Sequence, residues 1–132
     1  MDYVKINNKV WDVLVTGVVE NFTILYSENT GRVMDDKATM KLDPIGTFIG
    51  HKVTFERKNG YENVFDDLYN FFMMPRYDGV PVEIVHNQNV IRYNAYVSQG
   101  QRGLKRIDEN TGKVYWDKLE VNIVPIEAYY IP

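Results

Sequence analysis

The sequence predicts a mostly β domain of the α+β class: an antiparallel β-sandwich or barrel with one flanking α-helix. Alternation of apolar and polar residues with period two recurs along the chain, whereas a helical period occurs once, over about residues 60–73. A single helix cannot build a bundle or a doubly wound fold, so it can only flank or plug a sheet. With 132 residues, 45% of them apolar, residues 1–132 are expected to form a single domain with a buried core.

The first two elements are expected to be a hairpin and a long strand. Residues 4–6 and 9–11 flank Asn7-Asn8, and asparagine tolerates positive φ, so a tight two-residue turn is predicted. Residues 13–26 form a strand candidate whose alternation slips at Gly17. We expect a bulge or a sharp bend at that glycine.

Residues 27–46 are expected to be a long loop, because they sustain no period and hold seven charged side chains. Long loops are uncommon in compact domains and tend to be functional or disordered. A merely solvated loop does not need apolar side chains, whereas an arm that packs on a neighbouring molecule does. The candidate assembly residues of this loop are Val33, Met34, Met40, Leu42 and Ile45.

The predicted helix follows an alternating strand at residues 52–56, in which Val53 and Phe55 face inward. Asn59 offers an N-cap with Glu62 three residues later, as in a capping box. Pro75 disfavours helical geometry at the preceding residue and should end the helix. The apolar stripe expected to face the core consists of Tyr61, Phe65, Leu68 and Phe72.

Two further hairpins complete the predicted domain. Residues 82–86 and 90–98 form the first, and residues 99–103 are expected to be a flexible break. Residues 104–107 pair with the strand from residue 113 onward, in which Leu119, Val121 and Ile123 point inward. Pro125 should end the paired section or lie at a sheet edge.

Composition narrows the possible functions. The formal net charge of −3 argues against a general electrostatic grip on nucleic acid or anionic lipid. The absence of cysteine excludes disulfides, thiol catalysis and cysteine metal sites. No segment approaches the ~18 consecutive apolar residues of a membrane span. We therefore predict no cofactor, no metal, no sequence-specific nucleic-acid binding and no membrane association.

The side chains that could take part in catalysis form no recognisable catalytic pattern. His51 and His86 lie in different segments without a partner at metal-ligand spacing, so both are expected at the surface or at strand ends. The cluster of Arg102, Lys105 and Arg106 carries too little charge for a nucleic-acid patch. No catalytic residue is predicted, and the protein is not expected to be an enzyme. An enzyme would need a cleft that gathers one of the histidines with a carboxylate.

Several short segments, in a fixed order, carry a resemblance to a known family. They are residues 6–13, 28–32, 51–55, 93–97 and 104–107, followed by Trp116 on its long strand. Together they resemble small tail-associated structural proteins encoded by phages and prophages of Gram-positive bacteria. The resemblance spans nearly the whole chain.

The resemblance implies a role in virion architecture. Such proteins have a domain of the tail-tube type, a small β-sandwich or barrel with a flanking helix and a long loop. They assemble into rings in the tail tube, the distal tail or the baseplate hub. The implied partners are a homo-oligomeric ring and other tail proteins, without a small-molecule substrate. The implied location is the virion tail, after synthesis in the host cytoplasm. The alternative function is a small ligand-binding β-barrel domain.

Overall fold

The computed structural model describes residues 4–132, so the first three residues of the expected 1–132 domain lie outside the described part. Eight strands and one helix follow each other along the chain. They are β1 (Val4–Ile6), β2 (Leu14–Tyr26), β3 (Gly31–Arg32), β4 (Met40–Lys41), β5 (Pro44–Glu56), α1 (Glu62–Met73), β6 (Val80–His86), β7 (Asn89–Ile107) and β8 (Val114–Pro125). The prediction of a mostly β, antiparallel fold with one helix is confirmed.

Six strands form one antiparallel sheet in the order β1-β6-β7-β8-β5-β2, and β3 pairs only with β4. The two edges of the large sheet are therefore β1 and β2. Glu20 of β2 nevertheless lies 2.7 Å from His86 of β6, although three strands separate β2 from β6 in the sheet. The sheet is thus curved strongly enough to bring its two halves together around one core.

The core is built from alternate residues of five strands and from one stripe of the helix. Strand positions with the same parity point inward because successive side chains of a strand lie on opposite faces. The strand residues of the main buried cluster are Val4, Ile6, Val53, Phe55, Val80, Val82, Ile84, Ala95, Leu119, Val121 and Ile123. They include the five inward-facing strand residues named from the sequence: Val53, Phe55, Leu119, Val121 and Ile123.

Helix α1 closes this core with Phe65, Leu68 and Phe72, which are all buried. The ring of Phe72 packs on that of Phe55, with centroids 5.8 Å apart. Met74 has extended geometry, so the helix ends before Pro75 as predicted. Within residues 4–132, no helix has the length and apolar composition that crossing a bilayer requires.

The predicted N-cap of the helix lies two residues too early. Tyr61 is the N-cap residue, with no side-chain cap, and Asn59 instead accepts a hydrogen bond from Arg57. Tyr61 is 41% exposed, so it does not belong to the core stripe. Its ring lies at the surface beside Lys58 because Tyr61 precedes the first helical turn.

Three local predictions are confirmed by the backbone. Asn7 and Asn8 both have positive φ, and Ile6 bridges Lys9 across them. The register of β2 shifts between Val15 and Gly17, which is the expected irregularity. Strand β8 ends at Pro125.

The predicted break at residues 99–103 is wrong. Strand β7 runs without interruption from Asn89 to Ile107, and its pairing with β8 absorbs the irregular stretch through three register shifts. Gly100 and Gly103 therefore accompany bulges inside a strand. These bulges let one long strand bend around the core.

Candidate functional site

The most prominent surface feature is the free edge strand β2. Its only neighbour in the sheet is β5, so one side of its backbone is unpaired among the described residues. The strand carries no lysine and no proline, and Glu20 is its only charge. Phe22 is 71% exposed. Proteins usually protect a long edge strand with lysine, proline or bulges. After its bulge at the start, β2 keeps an unbroken register from Gly17 to Leu25.

Residues 27–46, which we call the arm, extend this edge. The prediction of an irregular loop is wrong in detail, because β3 and β4 pair within the arm and β5 already begins at Pro44. The backbone N–H of Ser27 donates to the carbonyl of Asp43, and this bond closes the base of the arm. The arm is therefore a ribbon that continues the β2–β5 hairpin.

The five candidate assembly residues are all exposed on this ribbon. Val33 and Met34 lie in the tip between β3 and β4, and Met34 has no measurable cover from the rest of the chain. Met40 belongs to β4, Leu42 follows it, and Ile45 lies at the start of β5. They follow β2, whose exposed apolar side chains include Val19 and Phe22, directly along the chain. Their role in assembly stays a prediction.

A second feature is a chain of polar groups inside the curved sheet, formed by Tyr93, His51, Glu20 and His86. The Tyr93 hydroxyl lies 2.8 Å from Nδ1 of His51, and Nε2 of His51 lies 3.1 Å from Oε2 of Glu20. The same carboxylate oxygen lies 2.7 Å from Nδ1 of His86. His51 is 1% exposed and is the one buried polar residue among residues 4–132.

The protonated hydroxyl of Tyr93 fixes the direction of the hydrogen bonds between these four side chains. Burial raises the pKa of Tyr93, so its hydroxyl keeps its proton and donates to Nδ1 of His51. The Nε2–H of His51 then donates to Glu20, and the Nδ1–H of His86 donates to the same carboxylate. The imidazole of His51 is neutral in this arrangement, and the carboxylate of Glu20 is ionised.

The pKa values of His51 and Glu20 both shift downward. Burial lowers the pKa of His51, and the nearby Glu20 carboxylate only partly offsets that effect. Partial burial raises the pKa of Glu20, but the hydrogen bonds from His86 and His51 outweigh it and bring the pKa below its ordinary value. A hydrogen bond to the charged form of a carboxyl favours that form.

We expect the protein to lose stability on mild acidification. The unfolded chain binds a proton at His51 more readily than the folded protein, so stability falls as the pH drops below the ordinary histidine value of 6.5. The contribution of Glu20 is present above 4.5 and is lost as the pH falls through its lower folded value. Denaturant melts at several pH values measure this loss, and histidine NMR titration gives the folded-state pKa of His51, because the chain has only two histidines.

Replacing Glu20 by glutamine should lower the pKa of His51 further, since the carboxylate is what favours the imidazolium. Glu83→Gln is the matched control, because Glu83 pairs with Arg92 and not with a histidine. A His51 resonance that titrates at or above 6.5 would contradict the assignment.

The expectation of surface or strand-end histidines is wrong for His51, which is buried in the middle of β5, and holds for His86, the last residue of β6. Glu20 was not singled out from the sequence, although it interrupts the apolar pattern of β2. Glu20 lies opposite His51 in the pairing of β2 with β5. His86 is 66 residues away from Glu20 on β6, so only the curvature of the sheet brings it to the same carboxylate.

The basic cluster predicted from the sequence is divided in the structure. Arg102 is largely buried between the rings of Tyr69 and Trp116, at 3.9 and 4.2 Å from their centroids, and forms an ion pair with Asp66. Its Nε has no hydrogen-bond partner within residues 4–132. Arg106 stacks on Tyr115 instead. Arg102 therefore fixes α1 against the β7–β8 hairpin and is not presented to a phosphate backbone.

Among residues 4–132, no group of three histidine, aspartate or glutamate side chains has a geometry that could hold a metal ion. The described surface includes five grooves of about 210 to 380 Å³, and neither histidine nor Glu20 lines any of them. The two histidines and Glu20 are thus directed into the fold, whereas Tyr93 lines two of these grooves.

Comparison with known proteins found no matching family model, no similar curated protein and no similar solved structure. The surfaces and side chains described above therefore carry any functional assignment.

Proposed function

We propose that this protein is a non-enzymatic structural component of a phage or prophage tail, from the tube, the distal tail or the baseplate hub. It acts by assembling into a ring with copies of itself, with other tail proteins, or with both. Its site of action is the virion tail, which it joins after synthesis in the host cytoplasm. The tail assignment comes from the family resemblance, and the assembly role is supported by the surface.

One observation carries the assembly role: the unpaired β2 edge and the arm that follows it both expose large apolar side chains. An unpaired backbone edge can accept a strand from another chain. Burying a side chain of the size of valine or phenylalanine is worth roughly 1.5–3 kcal/mol, so a few of these contacts give a substantial driving force. In a monomer these apolar side chains remain exposed to water and contribute no free energy of burial.

The polar chain of Tyr93, His51, Glu20 and His86 fits a structural role better than a catalytic one. A histidine held by a carboxylate can activate a hydroxyl beside it, but burial raises the pKa of Tyr93, and the His51 that engages its hydroxyl is only 1% exposed. Glu20 is in turn held by the two histidines. The only charge of the edge strand is therefore engaged toward the interior of the sheet.

A ligand-binding β domain is the second candidate. The groove lined by Tyr93, Tyr129, Ile49 and Ile91 holds about 300 Å³. That volume is at the lower end of the range for small-molecule sites, and the groove is open to solvent. The apolar edge and arm have no role in this alternative, so we place it second.

Light scattering over a range of protein concentrations, with negative-stain microscopy of concentrated samples, tests the proposal. The wild-type protein should form discrete oligomers, and the double variant Val19→Lys/Phe22→Lys should not. Both side chains are exposed on β2, and lysine on an edge strand opposes pairing with another strand. We expect association to weaken by at least roughly a hundredfold, equivalent to about 3 kcal/mol.

The control for this experiment is Thr111→Lys in the exposed turn between β7 and β8, which adds charge away from the edge. It should assemble as the wild type does. Circular dichroism must show that all variants remain folded. Equal oligomerisation of the double variant and the wild type would contradict the role of the β2 edge.

A further inference from the structure

An open groove of about 360 Å³ lies where the end of α1 meets β6 and β7. Met73, Met74 and Tyr96 line it and are each about half exposed. Methionine is flexible and polarizable, so it adapts to the shape of an apolar partner. The remaining apolar lining comes from Phe72, Pro75, Val80, Ala95 and Val97.

Arg76 is the one charged side chain that lines this groove. Its Nη1 donates to the carbonyl of Met74 at 2.9 Å, and its guanidinium lies 3.9 Å from the centroid of the Phe71 ring. These contacts fix a positive charge at the rim of an apolar depression. A complementary partner therefore presents an apolar side chain next to a carboxylate.

The tip of the arm has this chemistry. Met34 is fully exposed and is followed directly by Asp35 and Asp36. The carboxylate of Asp35 accepts hydrogen bonds from the backbone N–H groups of Lys37 and Thr39, so it shapes the turn. Asp36 is exposed beside it and is available to a partner.

We propose that the arm tip of one copy docks into the α1–β7 groove of the next copy, with Met34 against Met73 and Met74 and with Asp36 facing Arg76. This inference rests on the self-assembly proposed above and names its two contact surfaces. Arm and groove are different surfaces, so the contact is heterologous. Head-to-tail contacts of this kind generate rings when the rotation closes.

Cysteine cross-linking tests the contact cleanly, because the chain contains no cysteine. Met34→Cys protein is mixed under oxidising conditions with differently tagged Met74→Cys protein, and the mixed disulfide is quantified by mass. We expect roughly tenfold more cross-link than with Thr111→Cys protein, whose thiol is exposed outside the groove, because docking raises the effective concentration of the two thiols.

Charge reversal gives an independent readout. Asp36→Arg and Arg76→Asp should each weaken assembly, and mixing the two variants should restore opposite charges at every contact between unlike copies. Thermal melts of the separate variants check that Arg76→Asp leaves the fold intact despite the lost stacking on Phe71.

The outcomes separate this inference from the proposed function. If the protein assembles but the Met34–Met74 pair cross-links no better than the control pair, the groove is wrong and self-assembly stands. If the wild-type protein shows no assembly at any concentration, both the self-assembly and the docking are overturned. Preferential cross-linking together with rescue by mixed charges supports the contact.

Discussion

Replacing Leu68 by alanine is expected to cost about 2–5 kcal/mol of unfolding free energy, the range for removing a fully buried leucine from a core. Leu68 has no exposed surface and lies in the cluster where α1 meets the strands. Domains of this size are stable by about 5–15 kcal/mol, so the loss is a large fraction of the total. Denaturant melts should show a lower midpoint with an unchanged slope.

Tyr61→Ala is the matched control, since both residues were assigned to the same helical stripe from the sequence. Tyr61 is 41% exposed and lies before the first turn, so its truncation should cost far less than that of Leu68. If the two variants lost equal stability, the helix boundary or the burial of α1 would be wrong. A loss well below 2 kcal/mol at Leu68 would make the helix peripheral.

The sequence was sufficient for the core because burial leaves a periodic signal. Val53, Phe55, Leu119, Val121 and Ile123 alternate with polar neighbours, and each is buried as predicted. The end of a helix that depends on local backbone chemistry was also predictable, as for α1 before Pro75. These features depend on a residue and its close neighbours in sequence.

Features that depend on distant parts of the chain were not predictable. Gly100 and Gly103 indicated a break, but pairing with β8 along both sides of the irregular stretch maintains one strand. The capping-box pattern at Asn59 was overruled because the chain enters the helix two residues later, at Tyr61. Local propensity is a weak prior that tertiary pairing overrides.

In the candidate site too, features that depend on local sequence were predictable and features that depend on distant strands were not. The exposed apolar residues of the arm were identified because Met34 and Leu42 have no reason to lie in a solvated loop. The contacts of Glu20 with the histidines left no local signal, since the pairing of β2 with β5 creates the one with His51 and sheet curvature creates the one with His86. The unpaired edge of β2 could not be predicted either, because the alternation within one strand does not determine the order of strands in a sheet.

Shortening the arm is expected to abolish self-association and leave the domain folded. Ser27 and Asp43 are already joined by a backbone hydrogen bond, so residues 28–42 can be replaced by Asn-Gly to make a short hairpin turn. The core lies in the large sheet and α1, and none of its residues belongs to the replaced segment. Thermal melts should therefore be close to those of the wild type.

A variant with an arm of full length distinguishes the contribution of the apolar side chains to association from that of the arm's length. It carries serine at Val33, Met34, Met40, Leu42 and Ile45 and keeps the β3–β4 pairing. Loss of even two buried contacts, about 3 kcal/mol, weakens association by roughly a hundredfold. Both variants should then remain dispersed in light scattering where the wild type forms oligomers. If the short-arm variant alone fails to associate, backbone pairing carries the contact; if both associate normally, the arm has no part in assembly.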